Sequence, residues 1–233
     1  NGKVVIEPQF DDVFDFFGSN KGDWKRDALR KFPNIIQYYE SLSENSNYLK
    51  GEIKAFFASY YKNKLNVVSH SEYHINKLLY HNSQEEFVDT EPTPWIVQSE
   101  LLDFTKNMQK LGSLLNENKK DIPGSIIIEF NVIEGILTEA LESFNAALDS
   151  QSELVKWSTF TKSTNNNLTT LNSSPLKVNN FINEYLLQAY RGGVFCSATL
   201  MVNEDFRYFR EKVGLDFALI NYNVKERVYH SPF

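Results

Sequence analysis

Cysteine is nearly absent from this sequence, because Cys196 is the single one in 233 residues. A disulfide framework and any multi-cysteine zinc or iron–sulfur site within this stretch are therefore excluded, since each needs several thiols. Cys196 stands in the apolar run Val194-Phe195-Cys196, where a small buried side chain is the ordinary interpretation. This cysteine usage favours a cytoplasmic protein.

Basic residues are outnumbered by acidic ones, 24 to 30, which gives a formal net charge of −6. Bulk charge therefore lends no support to nucleic-acid binding, although a local basic strip stays compatible with it. No apolar run approaches the roughly 18 residues that cross a bilayer, so no membrane partner is expected. The chain opens on Asn1-Gly2-Lys3 without an initiator Met or a signal-peptide pattern, and we expect an excised part of a longer protein.

Helical periodicity dominates residues 1–150. Residues 23–63 have apolar side chains at three- and four-residue spacing, and Pro33 ends or restarts that run. Two further apolar stripes, separated by a short break that contains Pro123, predict an antiparallel helical hairpin. The first stripe is Leu101, Phe104, Met108, Leu111 and Leu115, and the second is Phe130, Ile133, Leu137, Leu141, Phe144 and Leu148.

The period changes at Leu154, where alternating residues, a polar turn over 162–167 and a second apolar run predict a β-hairpin. A helix that holds Ile182 and Tyr185 follows. Residues 192–196 are interpreted as a short buried strand, and 204–213 as a helix that Gly214 closes. The predicted fold class is mainly α with a small αβ part, divided into a helical body (1–150) and an αβ tail (151–233).

The end of the chain carries an ordered series of short motifs. Residues 197–200, Ser197-Ala198-Thr199-Leu200, follow the predicted strand, and then come Phe206, Gly214-Leu215 and 231–233, Ser231-Pro232-Phe233. In this order the sequence resembles the DinG/XPD-like branch of superfamily 2 helicases, whose third helicase motif reads Ser-Ala-Thr-Leu. The resemblance covers residues 154–233. For residues 1–150 it is positional only, because the family has a mainly helical "arch" insertion at that place.

The resemblance implies a fragment of an ATP-dependent DNA helicase that couples ATP hydrolysis to translocation on single-stranded DNA and to unwinding. Residues 1–150 would be the arch-like insertion, and 151–233 the C-terminal part of the first RecA-like motor domain. The sequence contains neither a Gly-x-x-x-x-Gly-Lys-Ser/Thr phosphate loop nor an Asp-Glu-x-His box. ATP and Mg²⁺ are therefore expected in the full-length protein and not in this chain, where no catalytic residue is expected.

Ser197, Ala198 and Thr199 match the motif that, in the family, connects the nucleotide site with the DNA-contacting surface. Hydroxyl groups suit such coupling because each can donate and accept a hydrogen bond. The aromatic and basic mixture at Tyr61, Lys62 and Lys64 indicates a possible DNA contact, although a helix end with solvated lysines explains it as well.

Other polar groups carry weaker signals. His70, His74 and His81 lie close together in the sequence, but no further ligand is fixed near them, so no metal site is expected. The acidic pairs Glu85-Glu86 and Asp11-Asp12 are interpreted as solvated surface.

Two other functional classes stay open. The chain could be a non-enzymatic helical interaction domain that ends in an αβ appendix, and the motif series over 190–233 is what argues against it. It could also belong to a CRISPR-associated relative of the same helicase branch, which only flanking sequence would separate.

Overall fold

The computed structural model describes residues 2–18, 24–67, 75–150, 154–162, 167–179, 182–187, 189, 194–195 and 205–215. The chain divides into two compact units, Asn1–Ser174 and Pro175–Phe233. Over the described ranges it is mainly helical with one small antiparallel sheet, so the coarse fold class predicted from the sequence is confirmed. No helix in these ranges combines the length and the apolar character that a bilayer crossing requires.

The first unit consists of helices around a four-stranded sheet. A 3-10 turn, Glu7–Phe10, joins the first strand to the first helix. The elements in chain order are β1 (Lys3–Ile6), α1 (Asp11–Phe17), α2 (Trp24–Leu29), α3 (Pro33–Asn63), β2 (Ile75–Tyr80), α4 (Ser83–Glu86), α5 (Pro94–Glu117), α6 (Gly124–Leu148), β3 (Leu154–Lys162) and β4 (Asn167–Pro175).

The three long helices α3, α5 and α6 form the body of this unit. Pro33 and Pro94 stand at the helix starts, where a missing N–H costs nothing because the first turn has no acceptor for it. Every member of the two apolar stripes on α5 and α6 is buried, and these two helices pack against each other. The predicted helical hairpin is confirmed, and so is a helix that restarts at Pro33.

Short helix α1 inserts phenylalanine rings between the long helices. The Phe17 ring lies 5.5 Å from the ring of Tyr39 on α3 and 5.7 Å from that of Phe104 on α5, measured between centroids. The Phe16 ring lies 6.0 Å from that of Phe130 on α6. Aromatic pairs of this kind each contribute about 0.5–1.5 kcal/mol beyond their buried area. They fix α1 against all three long helices.

The sheet has the strand order β1-β4-β3-β2, with β1 antiparallel to β4 and β2 antiparallel to β3. Strands β3 and β4 are the hairpin predicted from the sequence, which is confirmed. Alternation places Val5, Phe160 and Leu171 on the buried face. Because the hairpin pairs with strands from the N-terminal part, it belongs to the first compact unit, which ends at Ser174.

The second unit contains two described helical segments. A π-helical turn spans Ile182–Leu187. Helix α7 (Arg207–Val213) ends at Gly214, whose φ of 74° is the left-handed conformation that glycine adopts without strain. The sequence predicted both the helix and its glycine cap, although the helix begins three residues later than expected.

Candidate functional site

The predicted coupling tripeptide Ser197, Ala198 and Thr199 lies outside the described residues. On its N-terminal side, Val194 is 88% exposed and Phe195 is 37% exposed, and neither belongs to a strand. The prediction of a short buried strand over 192–196 is therefore wrong at these two residues.

The residues that flank the tripeptide nevertheless come together. The ring of Phe195 lies 5.4 Å from the ring of Phe209 on α7, with the two planes at 66°. The backbone N–H of Arg207 donates to Asp205 Oδ1 at 2.8 Å, which satisfies a donor in the first turn of α7. The two rings thus hold together residues that stand on either side of the tripeptide in the sequence.

The predicted DNA contacts lie at the C-terminal end of α3 and differ in their surroundings. The ring of Tyr61 is half-buried, 6.2 Å from the ring of Phe160. Lys64 Nζ lies 2.9 Å from Glu86 Oε1 and 5.5 Å from the ring centroid of Tyr60. Lys62 is exposed. Two of the three side chains are thus engaged within the unit, and their role in DNA binding stays a prediction.

A buried polar cluster that the sequence did not single out centres on Tyr60. The Tyr60 hydroxyl donates to Glu86 Oε1 at 2.5 Å and lies 2.5 Å from Ser158 Oγ. Burial raises the pKa of the Tyr60 hydroxyl far above its ordinary value, and the bond to Glu86 adds to this effect. The phenol therefore stays protonated and acts as a donor. Its role is to join α3, α4 and β3.

The interpretation of Glu86 as solvated surface is wrong. Only 14% of its side chain is exposed, and it accepts from Tyr60 and pairs with Lys64. Asp11, from the other acidic pair, is partly exposed and lies 2.9 Å from Lys50 Nζ. In neither case does the sequence carry the signal, because the partners are distant along the chain.

A second buried cluster satisfies the C-terminal end of α6. The hydroxyls of Tyr80 and Ser83 both donate to the backbone oxygen of Ala147, at 3.1 and 3.2 Å. Lys156 Nζ donates to the backbone oxygen of Asp149 at 2.5 Å. Burial lowers the pKa of the Lys156 ammonium, an effect that nearby Asp149 opposes. These groups occupy carbonyls that a helix end leaves without partners, so the cluster is structural.

The predicted absence of a metal site stays a prediction. His81 is exposed, whereas His70 and His74 lie outside the described residues. In the part of the chain that the structure describes, no three His, Cys, Asp or Glu side chains are placed to hold a metal ion.

Comparison with known proteins does not assign the chain to a family. No protein-family model matches the chain, and no curated protein is found to be similar in sequence.

Proposed function

We propose that this chain is part of an ATP-dependent DNA helicase of the DinG type, with a helical insertion followed by the end of the first motor domain. The observation that carries the proposal is the order of Ser197-Ala198-Thr199-Leu200, Gly214-Leu215 and Ser231-Pro232-Phe233 in the sequence. Each of these motifs is short, and it is their order that resembles the family.

Two features of the structure support the proposal. A mainly helical body precedes the motif series, at the place where the family has its arch insertion. The contact between the rings of Phe195 and Phe209 brings together residues that precede and follow the tripeptide in the sequence. Val194 and Phe195 do not belong to a strand, so the strand predicted before the tripeptide does not support the proposal.

The test uses the intact protein that contains this chain. Replacing both hydroxyls, Ser197→Ala with Thr199→Ala, should reduce strand separation at least about tenfold and leave basal ATP hydrolysis within about twofold. A fluorescent duplex with a single-stranded tail reports unwinding, and phosphate release reports hydrolysis. Equal loss of both activities would remove the coupling role.

Two controls make the test specific. Ser113→Ala with Ser125→Ala removes two exposed hydroxyls from α5 and α6 and should change neither activity. The isolated 233-residue chain should hydrolyse no ATP, because its sequence has no phosphate-loop lysine to hold the nucleotide. DNA-stimulated turnover by the isolated chain would contradict the proposal.

A second candidate function is a helical protein-interaction domain without enzymatic activity. It is favoured by large apolar side chains on the surface of the helical body, such as Ile128, which is 69% exposed, and Val132, which is 58% exposed. If the intact protein neither hydrolyses ATP nor separates strands, this candidate becomes the better one.

A further inference from the structure

A shallow groove of about 370 Å³ runs between α1 and α6. Its floor contains Phe16 and Ile133, which are buried in the core of the first unit. Val132 and Ile136 form its α6 side. The groove therefore joins the hydrophobic core to the surface, and apolar atoms make up most of its lining.

The apolar lining continues along α6 as an exposed stripe. Ile128, Val132 and Ile136 follow at four-residue spacing, which places them on one face of the helix. Ile128 and Val132 are 69% and 58% exposed, and Ile136 is half-buried. Aliphatic side chains in this arrangement match the spacing at which an amphipathic helix presents its own apolar residues.

Carboxylates stand on both sides of the groove. Asp12 and Asp15 line it from α1, and Glu129 lines it from α6. The 25 residues of α6 include no Lys, Arg or His. The Asp15 side chain is 76% exposed and lies 3.6 Å from Lys50 Nζ. Asp12 has no ion pair with any residue in the described ranges. The rim of the groove is therefore acidic.

The chain's own Lys25 shows how this rim accepts a cation. Its Nζ lies 2.9 Å from Glu129 Oε1 and 4.1 Å from the ring centroid of Phe16. One end of the groove thus holds an ammonium between a carboxylate and an aromatic ring, an arrangement that stabilises a partly desolvated cation. Further along, Asp12 and Asp15 offer carboxylates for similar contacts.

We propose that the groove between α1 and α6 is a docking site for a basic amphipathic helix of a partner protein. Apolar side chains of that helix would cover Ile128, Val132 and Ile136, and its Lys and Arg side chains would face Asp12 and Asp15. Charge complementarity favours this occupant over nucleic acid, because Asp12 has no ion pair in the described ranges and Asp15 is 76% exposed, so both carboxylates repel phosphate groups, whereas Glu129 is already paired with Lys25. The proposal is independent of the helicase assignment.

A second groove in the same unit provides a matched control. It has a volume of about 420 Å³ and is lined by Gln84, Phe87, Val88, Thr93 and Trp95. Like the groove between α1 and α6, it has a mostly apolar lining. Unlike that groove, it is lined by no charged side chain. Val88 is 69% exposed and Val132 is 58% exposed, so a lysine at either position should be tolerated by the fold.

The experiment measures the binding of a fluorescent synthetic peptide to the full chain by anisotropy. The peptide is a helix of about 18 residues with leucines on one face and Lys and Arg beside them, and the control peptide has Glu in place of those cations. The basic peptide should bind and the acidic one should not. Val132→Lys should weaken binding of the basic peptide at least about tenfold, and Val88→Lys less than about twofold.

Several results would overturn the proposal. These are no binding of the basic peptide, equal binding of both peptides, or equal losses in the two lysine variants with unchanged circular dichroism. Self-association of the chain that Val132→Lys abolishes would make a second copy the occupant. A labelled single-stranded oligonucleotide whose binding is lost in the same variant would make the groove a nucleic-acid site.

Discussion

Tyr60 is the residue at which three elements of the first unit meet through hydrogen bonds. Its hydroxyl contacts Glu86 on α4 and Ser158 on β3, and Tyr60 and Ser158 are fully buried. A buried hydroxyl without a partner costs more free energy than a formed hydrogen bond contributes, because it has lost its water without compensation. The Tyr60 hydroxyl therefore stabilises the first unit because it gives the polar atoms beside it a hydrogen-bond partner.

We expect Tyr60→Phe to lower the free energy of unfolding by about 1–3 kcal/mol, since it leaves buried Ser158 without this partner. Urea denaturation followed by circular dichroism measures the change. Tyr48→Phe is the control, because Tyr48 lies on the same helix and is 55% exposed, so that substitution should have almost no effect. Equal effects of the two substitutions would contradict the role assigned to the Tyr60 hydroxyl.

Glu134 provides a test of pH dependence. Burial raises the pKa of its carboxyl above the ordinary value of 4.5, so ionisation is harder in the folded state than in the unfolded one. Its contribution to stability is therefore greatest at low pH and is lost as the pH rises through the raised pKa. The Glu134→Gln variant does not ionise. Its stability relative to the wild type should therefore increase as the pH rises through the raised pKa of Glu134.

The measurement is urea denaturation of both proteins from about pH 4 to about pH 8. Glu139→Gln, at an exposed position on the same helix, is the control for the loss of a charge. A stability difference between wild type and Glu134→Gln that does not change with pH would show that burial of this carboxyl has no energetic consequence.

At the scale of elements, α5 and α6 pack closely where α5 has a glycine. A Cβ placed on Gly112 would lie 2.9 Å from Cε1 of Phe130, a buried ring on α6. Any side chain at this position must therefore displace the ring or separate the helices. Gly51 on α3 is the opposite case, because a Cβ there meets nothing within 4 Å.

We expect Gly112→Val to destabilise the first unit by about 1–3 kcal/mol, the usual cost of overpacking a core. Gly51→Val should change stability by less than about 0.5 kcal/mol, because both valine and glycine are moderate or poor helix formers and the site is open. Thermal unfolding of the two variants compares the sites directly. If both behave alike, the helices do not pack as closely as the structure has them.

Strand β2 shows why one strand of the sheet could not be predicted from the sequence. Its outward residues are Ile75, Lys77 and Leu79 and its inward ones Asn76, Leu78 and Tyr80, so neither face is uniformly apolar. Strand β3 has the clearer alternation. The hairpin of β3 and β4 was therefore predictable, whereas β2 became a strand only because it pairs with β3.

At the scale of the whole molecule, the sheet ties distant parts of the chain together. Strand β1 pairs with β4 through partners such as Val5 and Leu171, and β2 pairs with β3. The helical body and the hairpin therefore share one core, and the first compact unit ends at Ser174. A boundary at residue 150 would remove the two central strands of the sheet.

We expect a chain of residues 1–176 to fold with cooperative unfolding, since it keeps all four strands and the core they cover. A chain of residues 1–150 should lose that cooperativity, because Tyr60 and Val5 would then lie beside missing strands. Circular dichroism during urea titration distinguishes the two. Cooperative unfolding of the shorter chain would place the boundary where the sequence alone suggested it.

The sequence by itself determined the long helices, their buried stripes, the hairpin and the glycine cap of α7. These features depend on periodicity and on backbone preferences, which act over a few neighbouring residues. Only the tertiary structure decided that Glu86 is mostly covered, that Lys64 is ion-paired and that the hairpin belongs to the first unit. Each of these depends on contacts between residues far apart in the chain, and such contacts produce no pattern in the local sequence.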